Sequence, residues 1–404
     1  MPTVVLLGTL DTKGREYMFL CDRVREHGVE VLLVDAGILG EPHATPDIGR
    51  DEVAAAAGVD VASLVAANDR GAAIDAMARG AAKLVLRLHA EGRLDGILGL
   101  GGSGNSTIIA QAMRALPVGV PKLLVSTLAS GDTRPYMGSV DITMMYSVVD
   151  IAGINRISAR IMTNAAAMIA GAAKAGVPDL GAEKRLIGAS MFGVTTPCVT
   201  AARERLEELG YEVLVFHATG TGGESMEALA RAGYLAGVLD ATTTELADEL
   251  VGGVLSAGPD RLQAAGAVGV PQVVSLGALD MVNFGPRESV PARFADRNLY
   301  VHNATVTLMR TTPDESVELG REIGRKLTAA AGPTVLFVPL RGVSAIAVPG
   351  QVFHDADADA ALYRGLDETL SATVERHDLD TDINDPAFAI AMADRLHELI
   401  EEGA

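Results

Sequence analysis

The stretch that most restricts how this chain can fold is residues 95–107, DGILGLGGSGNST. An apolar run, Ile97 to Leu100, empties into Gly101-Gly102-Ser103-Gly104, and a helical pattern follows from Asn105 to Leu116. A strand that becomes a helix through glycines belongs to a βαβ unit. It aims consecutive backbone N–H groups, and the positive end of a helix dipole, at one point. A phosphate is the natural occupant and a nucleotide the leading ligand. Glycine suits such a turn because a side chain would block the anion and because the backbone is expected to visit positive φ. The competing reading is that the glycines only let helix and strand pack closely. Gly99, Gly101 and Gly104 satisfy the dinucleotide spacing, but the next strand, Lys122 to Val125, ends in Ser126 where an acid belongs, and no Gly-Lys-Ser/Thr follows to make a Walker A loop.

The same alternation of periods runs through the first half. Strands are expected at Val4–Leu7 and Val29–Val34, a helix at Arg15–His27, and helical patterns from Asp51 to His89. A polar loop, Thr127 to Ser139, follows the Lys122 strand, and a long helical stretch runs from about Asp150 to Ala175. The segment Gly176 to Gly181 breaks that helix and reads as a linker. The pattern then restarts, with strands at Leu186–Ser190, Glu212–Phe216, Leu235–Leu239, Gln272–Ser275, Leu299–His302 and Thr334–Val338. Helices are expected at Cys198–Leu209, at Met226–Ala232 and from Asp385-Pro386 to Ile400. The fold class is therefore α/β, two αβα domains with mainly parallel sheets, divided as residues 1–178 for the nucleotide and 179–404 for a small-molecule site. Ligands of such sheets sit beyond the carboxyl ends of the strands.

Composition narrows the function classes. The 404 residues are 49% hydrophobic but only 4% aromatic, with no Trp, so the cores must be aliphatic, as suits helices packed closely on parallel sheets. A net charge of −19 argues against nonspecific binding to nucleic acid or anionic membrane, which needs a basic surface. Cys21 and Cys198 lack CxxC spacing and fit a reducing compartment. With a strand beginning near Thr3, no signal peptide, and no uncharged apolar run near the ~18 residues of a membrane span, the expected location is cytoplasmic. No HExxH or close His pair marks a metal site. Asp355-Ala-Asp357-Ala-Asp359 lacks the glycine and the glutamate of a calcium loop and reads as a solvated helix start.

Several strand-end loops carry groups suited to ligands. In Gly8-Thr-Leu-Asp-Thr-Lys13, Lys13 would offset phosphate charge and Thr12 donate a hydroxyl, unless Asp11 or Thr12 merely caps a helix. Asp35 lies where a ribose hydroxyl would be held, or forms a turn before Gly37. Ser126, Ser130 and Gly131 offer further donors. In the second half Thr195 and Thr196 end one strand, His217, Thr219, Gly220, Thr221, Gly222, Gly223 and Glu224 another, and Thr242, Thr243, Thr244 and Glu245 a third. Their hydroxyls and amides would suit a polyoxygenated or phosphorylated substrate. His217, with Glu224 or Glu227 nearby, is the best general acid/base candidate, because imidazole titrates nearest neutrality. Cys198 falls near a helix N-terminus that would favour a thiolate, set against the commoner buried structural cysteine.

Taken together, Gly8-Thr-Leu-Asp-Thr-Lys13, Gly99-Leu-Gly-Gly-Ser-Gly104, Ser126-Thr-Leu-Ala-Ser-Gly131, Ser147-Val-Val-Asp-Ile-Ala-Gly-Ile-Asn155, His217-Ala-Thr-Gly-Thr-Gly-Gly223 and Leu239-Asp-Ala-Thr-Thr-Thr-Glu245 resemble the Tm-1-like ATP-binding family, the UPF0261 group, over essentially the whole chain. The resemblance implies two Rossmann-like domains, a homodimer, and ATP held by Asp11-Thr12-Lys13 and Gly101 to Gly104; Mg²⁺ could be carried in with such a nucleotide. It supplies a ligand but no reaction. Three expectations follow: an ATP-binding protein that uses ATP on a small phosphorylated or carboxylated metabolite, a noncatalytic nucleotide-dependent protein-binding module, or a metabolic enzyme without nucleotide chemistry that uses His217 as acid/base.

Overall fold

A computed structural model describes residues 1–176 and 183–403. The linker expected at 176–181 lies, apart from Gly176, outside the described residues. The chain divides into two compact units, Met1–Asp179 and Leu180–Ala404.

The first unit runs β1 (Thr3–Gly8), α1 (Leu10–Glu26), β2 (Glu30–Asp35), α2 (Arg50–Ala57), α3 (Val61–Ala67), α4 (Arg70–Ala90), β3 (Gly96–Gly101), α5 (Ser103–Ala115), β4 (Lys122–Ser126), α6 (Arg134–Met137), β5 (Thr143–Tyr146) and α7 (Arg156–Lys174). Its sheet has the order β2-β1-β3-β4-β5, parallel throughout. Successive β1 residues serve opposite layers. Val5 and Leu7 join the core under α4 and α5, while Val4 and Leu6 join the core under α1 and α7. That two-sided burial explains the unbroken apolar run in the sequence. The strand order reverses between β1 and β3, so their following loops diverge to opposite faces and leave a crevice at the carboxyl ends.

The second unit runs β6 (Leu186–Met191), α8 (Thr196–Glu208), β7 (Glu212–His217), α9 (Thr221–Arg231), β8 (Leu235–Thr242), α10 (Thr244–Val251), α11 (Ala264–Val268), β9 (Gln272–Gly277), β10 (Met281–Phe284), β11 (Leu299–Asn303), β12 (Val306–Arg310), α12 (Pro313–Thr328), β13 (Thr334–Pro339), α13 (Ala356–Thr369), β14 (Glu375–Leu379) and α14 (Pro386–Glu402). A parallel sheet of order β14-β13-β9-β8-β6-β7 repeats the topology of the first, with its reversal between β6 and β8. Both units are therefore Rossmann-like α/β domains.

Some sequence expectations shift. The strand expected at Leu299–His302 forms, but it pairs antiparallel with β12 in a separate sheet, β10-β12-β11, rather than joining the parallel layer. The polar loop 127–139 contains the short α6, and β5 follows it as an edge strand. Helix α7 starts at Arg156, because Asn155 closes a capping box with Ser158. Asp355 caps α13 as expected of a helix start. Asp359, however, is not solvated, since its carboxylate accepts from Arg310 Nη2 at 2.8 Å. Among the described residues no helix is long and apolar enough to cross a membrane.

Candidate functional site

A cavity of about 650 Å³ opens at the β1/β3 crevice. Its polar floor comes from two helix starts, Thr9, Asp11, Thr12 and Lys13 of the β1–α1 turn and Gly102, Ser103, Gly104 and Asn105 of the β3–α5 turn. The apolar wall comes from Ile38, Leu64, Ile74, Met77 and Ile108. A volume of this size is ordinary for a nucleotide-sized ligand.

The first turn of a helix has no acceptor for its own N–H groups. At α5 no side chain caps them, since Gly102 stands at the N-cap, and the amides of Ser103, Gly104 and Asn105 belong to residues that line the cavity. The glycines divide by purpose. A Cβ on Gly99 would meet the Ile109 side chain at 2.6 Å, and one on Gly101 would meet Asn105 Cβ at 2.3 Å, so these two are needed for strand-helix packing. A Cβ on Gly102 has nothing closer than Thr127 Oγ1 at 3.8 Å, and one on Gly104 meets only Ile74 Cδ1 at 3.4 Å and Arg70 Nη2 at 3.6 Å. Packing does not require these two. The positive φ expected of the turn is absent: none of Gly99, Gly101, Gly102 and Gly104 adopts one, and Gly102 is extended at φ −87°. The turn leaves open space over the amides without a left-handed backbone.

Helix α1 repeats the arrangement in part, because its first amide, Leu10 N, is taken by Asp35 Oδ1 at 2.9 Å. Its N-cap Thr9 makes no side-chain cap bond, and Lys13 N bonds back to Thr9 O at 2.9 Å. Lys13 lines the cavity, and its ammonium donates to the carbonyl of Ile151, which ties α1 to the loop before α7. Asp11 accepts from Leu39 N at 2.7 Å through Oδ2, while its Oδ1 is buried without a partner. Gly37 makes room for that carboxylate, for a Cβ there would stand 2.7 Å from it.

Other expected residues of the first domain lie away from the cavity lining. Asp35 is 1% exposed, and its Oδ1 accepts from Leu10 N and Gly37 N, both at 2.9 Å. It staples the β1–α1 turn instead of facing a ribose. Burial raises its carboxyl against the pull of those amides. Ser126 is also buried, bonded to Ser106 Oγ at 2.8 Å and to Leu128 N at 3.0 Å. Ser130 and Gly131 belong to an exposed turn closed by Gly131 N to Leu128 O. Arg70, at the start of α4, lines the cavity and was not signalled by any motif.

The second domain closes its counterpart crevice. Across the ends of β6 and β8, Thr195 Oγ1 and Thr242 Oγ1 bond each other at 2.7 Å. Thr243 donates to Ser275 O and Thr244 to Met281 O, and all four threonines are fully buried. Thr196 donates to Phe192 O, and Thr219 to His217 O. The amides of Gly220 and Gly223 at the start of α9 are occupied by a carboxylate of the protein itself, Glu245, at 2.7 and 3.1 Å. Glu245 Oε2 takes Arg261 Nε at 2.6 Å, and Arg261, also fully buried, bonds both oxygens of Asp240. Gly222 and Gly223 are packing glycines, for a Cβ would stand 1.8 Å from His217 O and 2.1 Å from Glu245 Oε2. The expected substrate loop is thus the shell of an internal ion-pair network. Of its members, Thr221 is exposed at the start of α9.

His217 is exposed and lies edge-on to Phe192, with ring centroids 6.5 Å apart. Glu227 does not serve it, because that carboxylate accepts from Leu262 N and Ala264 N, both at 2.7 Å. Glu224 is half-buried, and burial raises its carboxyl. Burial likewise pushes the Cys198 thiol up to about 12, which makes it inert despite its place near a helix start. Cys21 is buried too. Among the described residues no cluster of three or more His, Cys, Asp or Glu could hold a metal ion.

Residues 2–178 match the family model described as "Uncharacterised protein family (UPF0261) N-terminal domain", and residues 184–400 match the corresponding C-terminal domain. A UPF0261 protein of Clostridium tetani is 54% identical over 99% of both chains, and one of Rhizobium meliloti is 48% identical over 97% of both. The ToMV resistance protein Tm-1 of Solanum lycopersicum is 39% identical over 98% of this chain, which spans 56% of the tomato protein's length.

Proposed function

Because this chain belongs to the UPF0261 family over both of its domains, we propose as its function the binding of a nucleotide, ATP, at the first domain's β1/β3 crevice. The phosphates rest on the amides of Ser103, Gly104 and Asn105, and the base lies against the apolar wall of Ile38, Leu64, Ile74 and Met77. One observation carries this reading: the N-terminus of α5, with no side-chain cap, opens into a cavity that the start of α1 also lines. The α5 start offers unsatisfied N–H groups and a favourable dipole end, and the α1 start adds its own dipole end and Lys13, so together they favour an anion.

Lys13 adds a positive charge from α1. The lining also carries Asp11, Asp69 and Asp150 against Lys13 and Arg70, so its side chains do not neutralise a polyphosphate unaided. Mg²⁺ bound to the nucleotide fits that balance.

Isothermal titration with ATP, with and without Mg²⁺, tests the reading. Saturable binding at one site per chain, tighter with Mg²⁺, supports it. Absence of heat at millimolar ATP in both conditions overturns it.

A further inference from the structure

Arg70 is the first residue of α4 and lines the cavity, next to the α3–α4 corner. Helix α3 has no buried residue, and Asn68, which ends it, adopts a left-handed φ of 48°. From this corner Arg70 Nη2 reaches over the start of α5, 3.6 Å from where a Gly104 Cβ would be. The missing side chain makes the guanidinium and the amide cradle continuous.

The neighbouring charges are otherwise engaged. Lys13 is tied to Ile151 O. Each cavity carboxylate gives an oxygen to a main-chain amide: Asp11 to Leu39 N at 2.7 Å, Asp69 to Ala72 N at 3.0 Å, and Asp150 to Ile151 N at 2.8 Å. Arg70 has no ion-pair partner among the described residues, in a chain of net charge −19. A positive fork beside an uncapped helix start is a second, separate anion contact.

The three amides of one helix turn can each serve an oxygen of one phosphate. A guanidinium fork alongside them is placed to take oxygens of the next phosphate in a polyphosphate chain. We propose that Arg70 reads the outer phosphates and makes this site selective for di- and triphosphates over monophosphates. This rests on the nucleotide reading of the same cavity.

The test is titration of wild type, Arg70→Ala and Arg70→Lys with ATP, AMP and inorganic pyrophosphate, with the apo melting temperature recorded for each. Arg70→Ala is expected to weaken ATP and pyrophosphate by about 10- to 100-fold, the range of a charge-assisted contact, and to change AMP by less than about threefold. Arg70→Lys should recover part of the loss, and the apo melting temperature should not move, because Arg70 forms no ion pair among the described residues. Arg70→Ala that keeps ATP affinity within threefold, or that loses AMP to the same degree, overturns the assignment. Wild-type binding of pyrophosphate but not ATP, abolished in Arg70→Ala, retains the assignment and removes the nucleotide reading; binding of none of the three ligands removes both.

Discussion

Replacing Gly102 by Asp separates a turn built for a ligand from one built for packing, because the two readings give effects of opposite sign on stability. The position is extended, at φ −87° and ψ −161°, which is ordinary N-cap geometry for Asp. A new Cβ has only Thr127 Oγ1 at 3.8 Å as its nearest neighbour, so the side chain enters without a clash. Its carboxylate would then cap the amides of Gly104 or Asn105. Exchanging a glycine cap for Asp is worth a few tenths of a kcal/mol, and a negative charge at a helix start about 0.3–1 kcal/mol more. The apo protein should gain about 1 kcal/mol, which for a domain of this size raises the melting temperature by roughly 2–4 °C. The ligand pays for the same change. Each charge-assisted amide contact is worth about 1.5–3 kcal/mol, and the new charge repels phosphate, so ATP affinity should fall by at least about 100-fold. Thermal melting with and without ATP reads both effects, and titration quantifies the second. A variant that melts lower than wild type, or that binds ATP within threefold of it, would refute the assignment of Gly102. Gly101→Ala is the control, because its Cβ would meet Asn105 Cβ at 2.3 Å. It should destabilise the fold by about 1–3 kcal/mol through overpacking alone.

Two further outcomes concern the second domain. Glu245→Ala leaves the Gly220 and Gly223 amides and Arg261 Nε without an acceptor in a fully buried place; denaturant unfolding should show a loss of about 3–5 kcal/mol, and a loss below 1 kcal/mol would contradict the described network. Burial pushes the Asp248 carboxyl up to about 7, with Asn283 opposing the shift. The folded state therefore holds a proton that the unfolded chain releases, and the carboxyl's contribution is lost as pH rises from about 4 to about 7. The stability of Asp248→Asn relative to wild type should rise across that interval, by up to roughly 4 kcal/mol, and a difference independent of pH would show that Asp248 is not the titrating group.

The sequence made the architecture legible because period and punctuation agree. The Ile97–Leu100 run, its glycines and the helix after it appear as β3 and α5 within a residue or two. Segments that lack that agreement were not legible. The β5 edge strand, Thr143–Tyr146, is only half-buried and carries no alternation that survives beside a loop. The antiparallel β10-β12-β11 sheet is made by pairing between distant segments, which local periodicity does not encode.

The candidate sites divided on the same principle. Residue type marks what a group can bond to, but not whether the fold bonds to it first. Thr195, Thr242, Thr243 and Thr244 look like ligand hydroxyls in a list of letters, yet each bonds within the fold in the structure. Asp35 was placed at the correct strand end, and its oxygen is spent on the Leu10 and Gly37 amides. Glu245 was visible as an acid beside threonines. That it fills the start of α9, 25 residues away from Gly220 in sequence, depends on how β7 and β8 lie in the sheet. Arg70 carried no motif, because its meaning comes from standing beside Gly104 across a helix corner.

The most direct measurement is a crystal structure of the protein grown with Mg²⁺ and a non-hydrolysable ATP analogue. Phosphate oxygens within hydrogen-bonding distance of the Ser103, Gly104 and Asn105 amides are the expected result. A well-occupied nucleotide elsewhere on the chain, with those amides facing only solvent, would contradict the account.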